Sequence, residues 1–272
     1  MTAIREGLRD ILESDHPMTV RQVFYRAVAA GLIGKTEDEY KTTVVRLLTE
    51  MRENEVIPFD WIVDSTRRLI EAPTWSSPKA LLLAAADQYR SPLWRDAEAT
   101  VYILTEKDTL SGTLQPITNE LDVPLGVFRG DPSITFMHDI ATRLEWGGRA
   151  VFVYYLGDHD PSGLDIERDA QQRLRRWAMT VDITWKRVAV TPKQIAELSL
   201  PTRPTKPGTR NAGFKGESVE VDAIEPKELQ RIVRAAIMRH IDAERVRKQQ
   251  VLDEKTRASL RRFAKTFRGG AR

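Results

Sequence analysis

At 272 residues, with 41% hydrophobic and 30% charged side chains, the chain can form one large domain or two small ones and is too apolar for wholesale disorder. It has no cysteine, which excludes disulfides, a thiolate nucleophile and Cys-ligated zinc or iron–sulfur sites. The net charge of +3 is unevenly spread: from Arg239 to Arg272 eleven Lys/Arg stand against four Asp/Glu, a basic tail that points to a polyanion partner.

No apolar run approaches the roughly 18 residues of a membrane-spanning helix. The opening MTAIREGLRDILESDHP is amphipathic and acid-bearing, and it lacks the apolar core of a secretory signal. No membrane partner is therefore expected, and the expected location is cytoplasmic. The four histidines (His16, His138, His159, His240) are scattered with no HExxH pair, so any metal is expected to be held by oxygen.

In chain order, Ile4, Leu8, Ile11 and Leu12 recur at helical spacing and predict a helix over 3–14. Thr19 is a suitable N-cap for a helix from Val20 to Ala30, stopped by Gly31. Thr36-Glu-Asp-Glu39 matches a capping box and opens a third helix through Val44, Val45, Leu48 and Met51. Pro58 ends it, and Phe59-Asp-Trp-Ile-Val63 alternates like a strand. Three short helices followed by a strand outline a winged-helix module over 1–70.

Residues 71–99 read as a connector containing one helix, Lys79 to Tyr89. Beyond it the periodicity changes. Short apolar strands at Val101–Leu104, Leu125–Phe128, Ala150–Leu156 and Ile183–Val190 alternate with helices near Leu110–Leu121, Ser133–Leu144 and Leu164–Met179. Such alternation predicts an α/β domain over 100–241 with a mainly parallel sheet. Leu200–Gly216 reads as a loop, the chain from Pro226 as helical, and 242–272 as a basic helical tail. There, Leu260, Phe263 and Phe267 form a narrow contact stripe, leaving Arg257, Arg261, Arg262, Lys265 and Arg268 for solvent or DNA phosphates; the alternative is that the stripe packs on a partner subunit and the charges only keep it soluble.

In open parallel sheets, functional groups gather outside the carboxyl ends of the strands. Glu106 lies just past the first strand. Asp158 and Asp160 lie just past the most apolar one, in Gly157-Asp-His-Asp-Pro-Ser-Gly163. Residues two apart in extended chain point to one side, so the two aspartates can converge on a cation. Clustered carboxylates suit Mg²⁺, which prefers oxygen ligands. An Asp-x-Asp-Pro-x-Gly run is also what a helix-capping turn looks like. In the N-terminal third, Val20, Val23, Phe24, Ala27 and Val28 form the apolar stripe of their helix. Tyr25 falls roughly 130° from the centre of that stripe, on an exposed flank with Arg21 one turn before it. A phenol is a poor nucleophile until a cation or base stabilises its oxyanion.

Thr19-Val-Arg-Gln-Val-Phe-Tyr25 resembles the catalytic motif of the Spo11/type IIB topoisomerase (topoisomerase VI) A-subunit family, which lies in a winged-helix (CAP-like) domain and ends in the DNA-cleaving tyrosine. Thr105-Glu-Lys107 and Gly157–Gly163 resemble the two metal-binding motifs of the Toprim domain that follows it. Glu220-Val-Asp-Ala-Ile224 is similar to the strand and turn near the end of that domain. The resemblance runs in order from about residue 17 to 240 and is greatest to short, stand-alone members from phages and mobile elements. It implies Tyr25 as nucleophile, Arg21 as an activating or phosphate-orienting cation, and Glu106, Asp158 and Asp160 as Mg²⁺-binding acids. It also implies a homodimer acting on double-stranded DNA in a prokaryotic or phage setting. Two positions depart from the pattern: Gln22 stands where many members have an acid, and Ser162 where some Toprim domains place a third acid. There is no Walker A sequence, so strand passage would need a separate GHKL-type ATPase B subunit. The expected reaction is Mg²⁺-dependent double-strand cleavage through a 5′-phosphotyrosyl link. The alternatives are a Toprim nuclease using activated water and a catalytically silent DNA-binding or assembly factor.

Overall fold

The computed structural model describes residues 2–63, 72–205, 214 and 216–267. The chain divides into two compact units. One comprises residues 1–67 and 98–236, the other 68–97 and 237–272. The segment read as a connector and the basic tail thus fall in the same unit, and the N-terminal helices share a unit with the sheet.

In the first unit, α1 (Thr2–Asp15) and α2 (Val20–Ala29) lie where the spacing predicts them. Thr19 caps α2 in a complete capping box: its hydroxyl accepts from the Gln22 amide, and the Gln22 side chain accepts from the Thr19 amide. The third helix begins with wide π-type turns, Glu39–Val45, before becoming regular in α3 (Arg46–Glu53). Leu8, Leu12, Val23, Phe24, Leu47, Leu48 and Met51 form one core among these helices. Each such side chain contributes about 1.5–3 kcal/mol by leaving water.

The strand expected over 59–63 is not one. Phe59–Trp61 is a 3₁₀ turn after Pro58, and pairing is limited to a single parallel bridge between Met18 and Ile62. Trp61 stacks on His16 at 4.6 Å and Phe59 points to solvent, so the apolar alternation is met by one turn rather than by a ladder. The winged-helix outline therefore has its three helices but no paired wing strand among the described residues.

The α/β expectation holds. β1 (Ala99–Thr105), β2 (Leu125–Val127), β3 (Ala150–Leu156) and β4 (Ile183–Ala189) form one sheet in the order β2-β1-β3-β4 with every pair parallel. Five helices accompany them: α5 (Ser111–Glu120), α6 (Ile134–Gly147), α7 (Pro161–Trp177), α8 (Pro192–Glu197) and α9 (Pro226–Ile237). The near-continuous apolar run of β3 is buried along most of its length, as a central parallel strand requires. Thr105 pairs with Leu156, so β1 and β3 end level with each other. The residues that follow these two strands, Glu106 and Gly157-Asp158, are therefore neighbours at the carboxyl edge.

The second unit pairs α4 (Pro78–Gln88), capped by Ser77, with α10 (Ala243–Thr266), capped by Asp242. The packed face of α10 carries Val246, Asp253 and Ala264, whereas Leu260, Phe263 and Phe267 are exposed. The contact stripe expected from those three residues is thus not the face that packs within its own unit. The face meeting its neighbour is partly polar, with Asp253 accepting from the Ser91 amide at 3.3 Å, and a hydrophobicity pattern passes over it.

Candidate active site

The carboxyl edge of the sheet is built from β1 and β3 inward. Glu106 is buried, with one oxygen accepting from the Asp158 amide (2.6 Å) and the other from the Tyr155 hydroxyl (2.9 Å). Asp158 is also buried. Its Oδ1 accepts from the Val221 amide (2.9 Å), and its Oδ2 faces the Lys107 ammonium (2.9 Å). Asp160 does a different job: Oδ1 accepts from the Gly163 amide and caps α7, while Oδ2 lies 3.7 Å from Arg203. The helix-capping alternative thus describes one oxygen of Asp160, while its other oxygen and the Asp158 carboxylate face different cations, Arg203 and Lys107. Gly163 is required sterically, since a Cβ there would collide with the Asp158 carbonyl oxygen.

Burial, with Glu106 alongside, raises the Asp158 carboxyl to about 7 despite the attraction of Lys107. Burial likewise raises Glu106. For Lys107 burial works against the charge, yet Asp158, Asp222 and Glu220 together raise it well above the ordinary lysine value. The ammonium sits 2.9 Å from Asp158 and 3.5 Å from both Glu220 and Asp222. Asp222 Oδ1 accepts from Thr109 (2.8 Å), and its Oδ2 is buried with no hydrogen-bond donor. Among the described residues no three Asp, Glu or His side chains are gathered as a ready metal site. The donor set still fits a hard divalent cation: it is all carboxylate, and it holds one buried acceptor, Asp222 Oδ2, with no hydrogen-bond donor.

The N-terminal candidate connects to this edge. Tyr25 is 3% exposed, which corrects the expected solvent-facing flank. The side of α2 away from its apolar stripe is covered by the turn Val221–Ala223 and by Arg21, Lys35 and Glu220 around the phenol. Glu220 and the turn after it come from nearly two hundred positions away, so α2 is buried on more faces than its pattern announces. Arg21 lies 5.7 Å from the centre of the Tyr25 ring and 4.7 Å from that of Tyr40. Lys35 lies 5.4 Å from the Tyr25 ring; burial lowers its ammonium to about 8. Burial and the Glu220 charge raise the Tyr25 phenol, with Arg21 opposing them. Gln22, the departure from the family pattern, closes the capping box and donates to Thr113 Oγ1 (2.9 Å), tying α2 to α5.

Glu220 joins the two halves. Its carboxylate accepts from Arg21 Nη2 (3.0 Å), pairs with Arg203 Nη1 (3.2 Å) and lies 3.5 Å from Lys107. Burial opposes its ionisation, but Lys107 and Arg21 prevail and lower it to about 2. A cavity of about 250 Å³ opens between Tyr25, Arg21, Lys35, Arg203 and Glu220. Lys35, Lys107, Arg203, Glu220 and Asp222 are the site residues to which sequence reading gave no role; the likeness of Thr105–Lys107 and Glu220–Ile224 to Toprim segments passed over Lys107, Glu220 and Asp222 without assigning them one.

In the tail, Arg257 donates to the Tyr89 carbonyl (3.1 Å) and pairs with Glu254. Arg261 pairs with Asp87 (2.6 Å) and Glu254 (3.0 Å). Arg262 donates to Ser259, Lys265 is exposed, and Arg268 lies outside the described residues. The first two cations are thus already engaged within their own unit. Among the described residues no helix is long and apolar enough to cross a membrane. No protein-family model matches the sequence, and no curated protein matches it.

Proposed function

We propose that the protein cleaves double-stranded DNA by transesterification, with a winged-helix-like N-terminal region and a Toprim-like sheet region acting together in a homodimer. The observation that carries this is Glu220, a buried carboxylate that touches Arg21 beside Tyr25 and Lys107 beside Asp158. One side chain thereby links a candidate nucleophile to a candidate acid site within one compact unit.

In the reaction, the Tyr25 oxygen loses its proton and bonds to a backbone phosphorus as the bond from phosphorus to the 3′ oxygen breaks. The released oxygen takes up a proton, leaving a 3′ hydroxyl and a 5′-phosphotyrosyl link. Arg21 and Lys35 stabilise the phenolate, and Arg21 and Arg203 orient the phosphate entering the cavity. Glu106, Asp158 and Asp160 would hold Mg²⁺, whose chemistry is to offset charge on the phosphoryl oxygens. The family resemblance implies that Tyr25 of one subunit serves the acids of the other; the Glu220 link favours Tyr25 and the acids of the same chain instead. A GHKL-type ATPase subunit would be needed for strand passage.

The burial of Tyr25 favours one other reading, a nuclease in which water attacks and the phenol stays in place. Cleavage of supercoiled duplex in millimolar Mg²⁺, quenched with denaturant, separates the two. Transesterification predicts loss of cleavage in both Tyr25→Phe and Asp158→Ala. A nuclease predicts loss in Asp158→Ala alone.

The metal part has its own expected result. Buried carboxylates that repel each other gain from a bound cation, so Mg²⁺ stabilises the fold by linkage. At ten times its dissociation constant the gain is about 1.4 kcal/mol, roughly 2–4 °C in melting temperature for a protein of this size. Thermal melts with and without Mg²⁺ should show that rise in the wild type and little of it in Asp158→Asn. An equal rise in both would place the ion elsewhere.

A further inference from the structure

The residues that hold the acid loop 157–163 in place converge on one side chain, Arg187. In β4 the period-2 alternation puts Trp185 and Arg187 on one face, and both donate to the two oxygens of Glu167 on α7, at 2.8 and 2.7 Å. With Nε so anchored, Arg187 Nη1 reaches the carbonyls of Gly157 (2.8 Å), Asp158 (3.1 Å) and Val190 (3.3 Å), and Nη2 reaches that of Gly163 (3.4 Å). The guanidinium also lies 5.2 Å from the centre of the Tyr155 ring, and Tyr155 donates to Glu106. Arginine suits this place because its planar fork offers five donors in fixed directions, whereas a lysine ammonium offers three from one point.

We infer that Arg187 is a positioning residue for the carboxylate site, fixing the loop that carries Asp158 and Asp160 directly and Glu106 through Tyr155. Its link to chemistry rests on the proposed function; its hold on the loop does not. A simple structural arginine would tie strand to helix, as the Glu167 pair does. Arg187 instead spends Nη1 and Nη2 on carbonyls of the loop and of the chain just after β4. With these carbonyls drawn to one side, the Asp158 carboxylate is left to turn the other way, toward Val221 and Lys107.

Amide hydrogen exchange on the full chain tests this, because several amides of the loop are bonded and exchange only on opening. Gly157 donates to Ala189, His159 to Val219, and Leu164 to Asp160. Arg187→Lys is expected to speed exchange over 157–164 by at least about 10-fold, with β1 and β3 unchanged, because those strands keep their ladders. Glu167→Gln, which frees the anchor without touching the loop, should give a smaller rise in the same residues and also serves if Arg187→Lys fails to fold. The Mg²⁺-induced rise in melting temperature should shrink in both variants. Unchanged loop exchange in both, or a rise spread evenly through the sheet, overturns the inference. Local loosening in a protein whose wild type ignores Mg²⁺ would uphold Arg187 and count against the metal reading alone.

Discussion

Tyr25→Phe is expected to lower DNA cleavage by at least roughly 10,000-fold, as loss of a nucleophile does in other covalent catalysts, while leaving the fold nearly intact. The aromatic ring stays, packed edge-on against Phe24 at 5.2 Å. Only one hydroxyl beside Glu220 is lost, a change of about 1 kcal/mol in either direction. Denaturant melts should therefore superimpose within that margin while cleavage disappears. Because burial and Glu220 raise the phenol, the wild type should cleave faster as pH rises toward 9. The same burial means that Tyr25 reacts only once the cavity beside it opens to phosphate.

Glu220→Gln carries the second large effect, this time on stability. The carboxylate is nearly inaccessible and is shared by Arg21, Arg203 and Lys107. An amide of the same shape leaves those cations short of one charge, which costs about 3 kcal/mol for a buried network of this kind. The sign with pH follows from the lowered carboxyl. The contribution is fully present above about 4.5, the ordinary glutamate value, and is lost as pH falls toward about 2. Urea titrations at pH 7 should show the whole difference between the two proteins, and the difference should narrow as pH falls from 4.5 toward 2. A difference that persisted at the lowest pH would mean that shape, not charge, holds the network.

Much of the scaffold was legible because it obeys local rules. The four apolar strands and their intervening helices fixed a parallel sheet, and two acids at strand ends marked its carboxyl edge. Thr19 and Ser77 capped the helices that they precede. The same signal stands at Thr191-Pro-Lys-Gln194, where a capping box and an N-terminal proline open α8, a short helix that periodicity does not mark. What failed is what depends on distant residues. Tyr25 read as exposed because its cover arrives from the 220–224 turn. Phe59–Val63 read as a strand because one 3₁₀ turn and a strand share an alternating pattern over five residues. Lys107, quoted in its motif beside Glu106, was given no role, since its three carboxylate partners come from two other segments. Arg187 gave no signal at all: in Thr184-Trp-Lys-Arg187 it is one more basic residue in a half-exposed strand. Charge networks are assembled by topology, and a linear pattern does not display them.

The chemistry of a covalent bond to Tyr25 has a direct measurement. The protein is incubated with duplex DNA and Mg²⁺, quenched with denaturant, digested with nuclease and trypsin, and the nucleotide-bearing peptide is identified by mass spectrometry. Cleavage after Arg21 and Arg26 releases Gln22-Val-Phe-Tyr-Arg26, a five-residue peptide with a single acceptor hydroxyl. The predicted result is that this peptide carries a nucleotide joined through its 5′ phosphate, with every recovered DNA end blocked at 5′ and free at 3′. Cleaved DNA with free 5′ phosphates and an unmodified Gln22–Arg26 peptide would contradict it.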